Sequence, residues 1–320
     1  MPLASVGVDI SKATFDAAYL SAENKYKHKK FPNTPEGFAD FVTWLSALDT
    51  GQPLVCREAT GAYRIPLAEF LAEQGWPVSV VNPAGIHAFA KTEMSRAKTD
   101  KADAKLIARF AQQKNPARWT PPPPNIRELQ ARLRRVEHRL EMRQMEQNRL
   151  DTAGPAIADS IKAILESIEQ ELKATHERIR QPIDNDPERR QRRNLLASIP
   201  GVGGATSAHL LVALSDHYGF RTAKQAVAHA GLDPRIRQSG QWAGQTHLSK
   251  AGDPLLRKAL YLPALTAWRH NPIVRTFCER LKAHGKNGKV IACAAMRKLV
   301  HIAFAVLRSG KPFDPNFALA

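Results

Sequence analysis

Asp9, Glu58, Asp100 and Asp103 are the residues whose types and settings point most directly to chemistry. Asp9 lies in the apolar stretch Val6-Gly7-Val8-Asp9-Ile10, and Glu58 follows Pro53-Leu54-Val55-Cys56 inside Arg57-Glu58-Ala59-Thr60-Gly61. Asp100 and Asp103 stand three apart in Lys98-Thr99-Asp100-Lys101-Ala102-Asp103-Ala104, where a helix is expected to begin. That spacing puts both on one helix face. Two acids at strand ends and two on a helix face can converge on one point. Mg2+ and Mn2+, as hard divalent cations, take oxygen ligands of this kind. Such an ion activates a nucleophile and stabilises a leaving oxygen in phosphoryl transfer. The plainer reading of each acid is a solvated surface group, and Asp100 could simply cap a helix starting at Lys101.

Other motifs suit a phosphate-rich substrate. Ile199-Pro200-Gly201-Val202-Gly203, between Asn194-Leu195-Leu196-Ala197-Ser198 and an apolar helix at 205–214, has the form of a helix-hairpin-helix. Glycines such as Gly201 and Gly203 let backbone N–H groups approach a phosphate, or serve only a tight turn. Ser239, in Arg235-Ile236-Arg237-Gln238-Ser239-Gly240, is flanked by arginines, with Ser249-Lys250-Ala251-Gly252 downstream. A serine needs an activating base or metal to become a nucleophile, and most Ser-Gly pairs are turns. Arg235, Arg237 and Lys250, with Lys286 and Lys289 in Lys286-Asn287-Gly288-Lys289, are candidate nucleic-acid contacts. Charge runs, including Arg189-Arg190-Gln191-Arg192-Arg193, are otherwise solvated faces.

Composition supports the same direction. The 320 residues carry 47 Lys+Arg against 30 Asp+Glu, a net charge of +17, with 43% hydrophobic content. That is enough for real cores and about two domains at roughly 150 residues each. The charge surplus asks for a polyanion, nucleic acid before a membrane surface. No apolar run is expected to reach the roughly 18 residues of a membrane span. Met1-Pro2-Leu3-Ala4 lacks the basic start and apolar core of a signal peptide, so a cytoplasmic setting is expected. Cys56, Cys278 and Cys293 read as buried small hydrophobes in a reducing compartment. The 11 histidines form no HxxxH or HxH pair, so zinc is not expected.

The elements that must position these residues can be read from periodicity. Strands are expected at 4–10 and 14–20, paired through Ser11-Lys12-Ala13, and at 28–32, 53–57 and 78–81. Helical spacing runs over 35–48, 63–74 and 102–112. This is an α/β domain with a mixed sheet. Pro121-Pro122-Pro123-Pro124 ends it as a stiff spacer. Beyond it Ile126, Leu129, Leu133, Val136 and Leu140, then Ile161, Leu165, Ile168, Leu172, Thr175 and Ile179, step by three and four. With the breaker Asp151-Thr152-Ala153-Gly154-Pro155 between them, they predict an antiparallel coiled-coil hairpin or two helices of an ordinary bundle. The rest is mostly helical, including 290–307. No internal repeat is present.

The order of motifs carries a resemblance. GVDIS at 7–11, EATGAY at 58–63, TDKADA at 99–104, IPGVG at 199–203, SG at 239–240, SKAG at 249–252 and MRKL at 296–299 occur in sequence. Together they resemble the DEDD-type transposases of insertion sequences, the bridge recombinases of the insertion sequence one-ten family, over about residues 4–313. The resemblance implies three domains. These are a RuvC-like domain of the RNase H fold at 1–120, the Pro spacer and coiled-coil linker at 121–188, and a helical C-terminal transposase domain at 189–320. It implies that Asp9, Glu58, Asp100 and Asp103 match the metal-binding tetrad and that Ser239 matches the serine that links covalently to DNA. It further implies donor and target DNA as substrates and a structured noncoding guide RNA. It also implies a homo-oligomer, dimer or tetramer, in which the acidic site of one subunit meets the serine domain of another. Sequence would then be read by base pairing while the protein reads backbone and shape. Residues 241–246 are neutral where family members can carry arginine, which leaves the phosphate-clamping arginine unassigned.

Two other classes compete. A RuvC-type metal nuclease would use the acids alone and need no Ser239. An actin-like kinase would share Gly7-Val8-Asp9-Ile10-Ser11 but needs a second glycine-rich motif after a strand, and Gly201-Val202-Gly203 lies between helices. A non-catalytic helix-hairpin-helix protein leaves the acids unexplained.

Overall fold

The computed structural model describes residues 4–48, 51–59, 65–93, 99–235, 238–239, 242–244 and 247–316. The chain divides into two compact units, Met1–Pro121 and Pro122–Ala320.

The first unit is a sheet between helices. Its elements are β1 (Ser5–Ile10), β2 (Thr14–Leu20), β3 (Tyr26–Pro32), α1 (Pro35–Ser46), β4 (Leu54–Glu58), α2 (Ile65–Glu73), β5 (Val78–Val81), α3 (Pro83–Thr92) and α4 (Asp100–Lys114). The sheet order is β3-β2-β1-β4-β5. β1, β2 and β3 pair antiparallel, whereas β1–β4 and β4–β5 are parallel. Successive side chains on a strand alternate faces. Val6, Val8, Phe15, Ala17, Tyr19 and Val55 therefore join Phe38 and Phe41 of α1 and Leu67 and Leu71 of α2 in one core. On the other face Cys56 packs with Ile86 of α3 and Ile107 and Ala111 of α4.

Gly7 fixes the closeness of that second layer. A Cβ at Gly7 would lie 2.1 Å from the Ala104 carbonyl oxygen and 2.2 Å from Ala108 N, so α4 rests directly on the β1 backbone. Ser5 Oγ, one step back on the same face, donates to the Ala108 carbonyl at 2.7 Å. Advancing along β1 thus retreats along α4, and the first turn of α4 lies toward the Asp9 end of β1.

The second unit is helical. α5 (Pro124–Leu150) and α6 (Pro155–Asp184) run antiparallel, since Arg132 donates to the Arg178 carbonyl and Arg139 pairs with Glu171. α7 (Pro187–Ala197), α8 (Gly204–Ala213), the 3-10 turn Asp216–Tyr218 and α9 (Ala223–His229) follow. Four two-residue strands come next: β6 (Pro234–Arg235), β7 (Gln238–Ser239), β8 (Trp242–Ala243) and β9 (His247–Leu248). The unit ends with α10 (Pro254–His270), α11 (Pro272–Ala283) and α12 (Gly288–Ser309). Leu129, Leu133 and Val136 of α5 and Ile168, Leu172 and Ile179 of α6 share one core with Leu196, Leu210, Leu260 and Leu299. The hairpin and the C-terminal helices are therefore packed together.

Helix α12 corrects one expectation. Among the described residues it is long and apolar enough, by length and composition, to cross a membrane, although Arg297 and Lys298 interrupt its apolar run. Nine of its residues, Ile291 to Val306, are buried, and α12 packs against α7, α9, α10 and α11 as the core helix of this unit.

Candidate active site and nucleic-acid interface

The first unit brings its acids to one edge of the sheet. Asp9 is on the same face of β1 as Gly7, the face covered by α4. In the parallel register Gly7 pairs with Cys56 and Val8 with Arg57, so Glu58 ends β4 level with Asp9. Glu58 shares the parity of Cys56 and so faces α4 too. Asp9, Glu58 and Asp103 are half-buried and Asp100 is exposed. The helix cap is not Asp100, as one reading of the sequence had it. Thr99 is the N-cap, its hydroxyl accepting from Ala102 N at 3.2 Å, and Asp100 and Asp103 both lie in the first turn. Carboxylates there are favoured by the helix dipole.

All four acids thus lie toward one end of the β1–β4–α4 layer. Among the described residues no three His, Cys, Asp or Glu side chains stand close enough to hold a metal ion. The donor set itself, all oxygen, fits a hard divalent cation.

Asp16 is an acid that sequence reasoning missed. It is the cross-strand partner of Asp9, buried at 5% exposure, and opposed residues in antiparallel strands share a face. His28 Nε2 lies 2.7 Å from Asp16 Oδ1, and Lys30 Nζ lies 3.5 Å from its other oxygen. The only sequence signal was its place opposite Asp9 across the predicted turn. Cys56, beneath Glu58, has its thiol pushed up to about 12 by burial and then by the Glu58 charge, so it is inert as a nucleophile.

Ser239 sits on a ribbon. β6 pairs with β9 and, further out, β7 pairs with β8, with Ser239 opposite Trp242. Ser239, Gln238 and Arg235 are exposed. Arg237 and Gly240 lie outside the described residues. The root of the ribbon is tightly built. Ser249 N donates to the Asp233 carbonyl at 2.8 Å, and Lys250 N to the Gly231 carbonyl at 3.2 Å. Lys250 is exposed and holds a left-handed φ of 53°. A Cβ on Gly252 would lie 2.3 Å from the His229 carbonyl oxygen. Arg257 of α10 donates to the Ala230 carbonyl at 2.9 Å and crosses the place a Gly231 side chain would need. Nothing in the sequence singled out Arg257.

The glycine turn resolves into two roles. Gly201 has φ 98°, and a Cβ there would lie 2.8 Å from Ala267 of α10, so this glycine is required for packing. Fully buried Asn271 supports the same corner, capping α11 through Ile273 N and Val274 N and donating to the Pro200 carbonyl at 3.5 Å. Gly203 is different. It is the exposed N-cap of α8 with no side-chain cap, and open space surrounds it. That leaves first-turn N–H groups available to an anion. Lys286 and Lys289 are exposed on either side of Asn287, which caps α12 by accepting from Val290 N at 3.0 Å. Of the four arginines of α7, Arg189 pairs with Asp186, Arg192 with Asp216 and Arg193 with Asp184. Arg190 is exposed and makes no ion pair with a described residue.

A mixed sheet with carboxylates toward one end, followed by a basic helical unit with an exposed serine, suits an enzyme acting on nucleic-acid strands. Comparison with known proteins makes this specific. A DEDD transposase family model, described as a transposase, matches residues 6–153, and a model of the transposase IS116/IS110/IS902 family matches residues 193–279. The pilin gene-inverting proteins of Moraxella bovis and Moraxella lacunata are 38% and 37% identical to this chain, each over 97% of both chains. A 43.6 kDa protein of insertion element IS110 from Streptomyces coelicolor is 31% identical over 52% of this chain and 39% of its own length. The chain belongs to the IS110 family of transposases and is a DNA transposase/recombinase. The mixed sheet is consistent with the RNase H-like domain of DEDD transposases.

Proposed function

We propose that this enzyme cuts and rejoins DNA through a phosphoserine intermediate at Ser239, with Asp9, Glu58, Asp100 and Asp103 as ligands for Mg2+ or Mn2+. The observation that carries the reading is the pairing of features. Four oxygen donors lie toward one end of the β1–β4–α4 layer, and an exposed serine stands on a ribbon with a locked root. A bound divalent ion would supply charge neutralisation at the scissile phosphate. Ser239 Oγ forms a bond to phosphorus as the bond to a deoxyribose oxygen breaks, and the serine proton ends on the departing oxygen. The phosphodiester is conserved as a phosphoserine, so rejoining is the reverse step and needs no external energy source. Asp16, opposite Asp9, is a fifth acid, paired with Lys30 and hydrogen-bonded to His28.

In this reading 1–120 is a RuvC-like acidic domain, 121–188 a coiled-coil linker and 189–320 the serine domain with its helix-hairpin-helix. Donor and target DNA are the substrates, a structured noncoding RNA guides their choice, and the enzyme acts as a homo-oligomer in the cytoplasm on the nucleoid. Arg235, Arg237, Lys250, Lys286, Lys289 and the open α8 terminus at Gly203 contact phosphates. The pilin gene-inverting relatives support a recombinase over a plain nuclease.

The deciding experiment uses labelled DNA, denaturation of the trapped complex and peptide mapping. An adduct on the peptide bearing Ser239, lost in Ser239→Ala, is expected. Linkage at Ser249, or normal cleavage by Ser239→Ala without any adduct, replaces this reading with a metal-only nuclease or a different nucleophile.

A further inference from the structure

The root of the serine ribbon adjoins a cluster of cations that no part of the chemistry above uses. Arg297 and Lys298 lie four and three residues before His301, within one turn of α12, and α9, which carries Lys224, packs against that helix. Arg280 of α11 lies 5.6 Å and Lys298 Nζ 5.9 Å from the Phe277 ring centroid, so one half-buried ring holds two like charges together. Carboxylates are scarce here. Asp233, the residue before the ribbon, is 3.9 Å from Arg297, a weak pairing. Glu279, next to Arg280, is instead turned to Trp268 Nε1 at 3.2 Å.

Such a cluster works against itself. Lys298 is held below the usual lysine range by burial and by Arg280. His301 is held below its usual value by burial, then by Arg297, Lys298 and Lys224, with Asp233 opposing. Long basic side chains on an ordinary surface splay into water and avoid this repulsion. Here α9 and α11 each pack against α12, which keeps the charges in place. An anion with several negative groups would relieve the cost, and a chain of net charge +17 has a polyanion as its natural partner.

We propose that Lys224, Arg280, Arg297, Lys298 and His301 form a seat for the phosphate backbone of the DNA duplex flanking the strand that Ser239 attacks. This rests on the recombinase reading above. DNA is the occupant because the seat joins the ribbon through Asp233, so a duplex bound there would run toward the serine. Phosphates in the seat also reverse the field on His301, and the imidazole takes up a proton as DNA binds. Binding therefore tightens as pH falls toward and below the usual histidine value of 6.5.

The test uses full-length protein, a short fluorescein-labelled duplex and a salt series. For the double variant R280Q/K298Q the slope of log affinity against log salt should become shallower by about 1.8, at about 0.9 for each phosphate that is no longer neutralised. The charge-keeping pair R280K/K298R should retain the wild-type slope. His301→Gln should remove the proton uptake seen by calorimetry in buffers of different ionisation enthalpy. Three results overturn the seat: an unchanged slope in R280Q/K298Q, loss of binding confined to a structured RNA probe, or undiminished proton uptake in His301→Gln. If the Ser239 adduct still forms while the slope is unchanged, only the seat falls. If no adduct forms in wild type, the recombinase chemistry itself falls, whatever the slopes.

Discussion

Single residues decide whether the acidic edge exists at all. Gly7 permits α4 to lie on β1, with the Ala104 oxygen 2.1 Å from any added Cβ. The neighbour here is backbone and cannot swing aside. Gly7→Val should destabilise the protein by about 3 kcal/mol or more, an overpacking cost at the high end, and should lower strand exchange by shifting Asp100 and Asp103 away from Asp9. Urea unfolding with a recombination assay checks it; a stable and active Gly7→Val would mean that α4 need not sit so close. The acids themselves make a separate prediction. Asp9→Asn and Asp103→Asn should each abolish strand exchange while leaving the unfolding midpoint near wild type, and near-normal exchange by either would remove it from the proposed metal-binding set. The places of the four acids, at strand ends and in the first turn of a helix, were legible in sequence because such positions have recognisable flanking residues. Asp16 was not, because its importance lies in a cross-strand pairing that only register reveals.

At the scale of elements, long periodic segments were readable and short ones were not. The sequence places strands at 14–20 and 78–81 where β2 and β5 lie, and the breaker at 151–155 separates α5 from α6. It ends the helical hairpin at 181, but α6 continues through Pro182 to Asp184, where Ile183 is buried. Packing thus overrides a proline's usual cost there. α3 went unseen because Pro83-Ala84-Gly85 reads as a turn, yet Asn82 caps the helix by accepting from Ala84 N at 2.9 Å. The serine ribbon was invisible because two-residue strands have no period to detect. The hairpin also shows where self-association could arise. Leu133 is buried in the core of its own unit and is unsuited to a subunit contact. Exposed apolar side chains lie instead on the distal half, at Met142, Met145, Ile157 and Ile164. Met145→Asp with Ile157→Asp should therefore reduce the mass measured by light scattering without lowering the melting temperature, whereas Leu133→Asp should mainly unfold the protein. An unchanged mass in the distal pair would mean that these side chains hold no subunit contact.

The whole molecule combines a large positive charge with histidines that its helical unit holds neutral. His209, His217 and His229 are each held below the usual value of 6.5, chiefly by burial. His176 adds to the effect on His209 and His229 to that on His217, while Asp253 opposes it at His209 and His229 and Asp216 at His217. The geometry agrees. His217, Tyr218, Phe220 and His229 form a cluster of rings, with centroids 3.9 Å apart for His217–Tyr218 and 4.4 Å for Tyr218–His229. The buried Nε2 atoms of His217 and His229 have no hydrogen-bond partner among the described residues. A proton added to either would be a buried, unpaired charge. About one pH unit or more above 6.5 the folded and unfolded chains both hold these rings neutral, and the histidines leave stability unchanged. As pH falls below that value the unfolded chain takes up protons that the folded chain refuses. Stability is then lost until the folded-state values are reached. Carboxylates titrate at about 4 and contribute little in this window. The melting temperature should therefore fall between about pH 7.5 and 5.5, before any carboxylate is protonated. His217→Gln with His229→Gln will cost ring packing and start from a lower melting temperature, but its decline over the same interval should be flatter. Circular dichroism melts at the two pH values measure both slopes, and parallel declines in wild type and variant would show that acid sensitivity has its source outside this ring cluster.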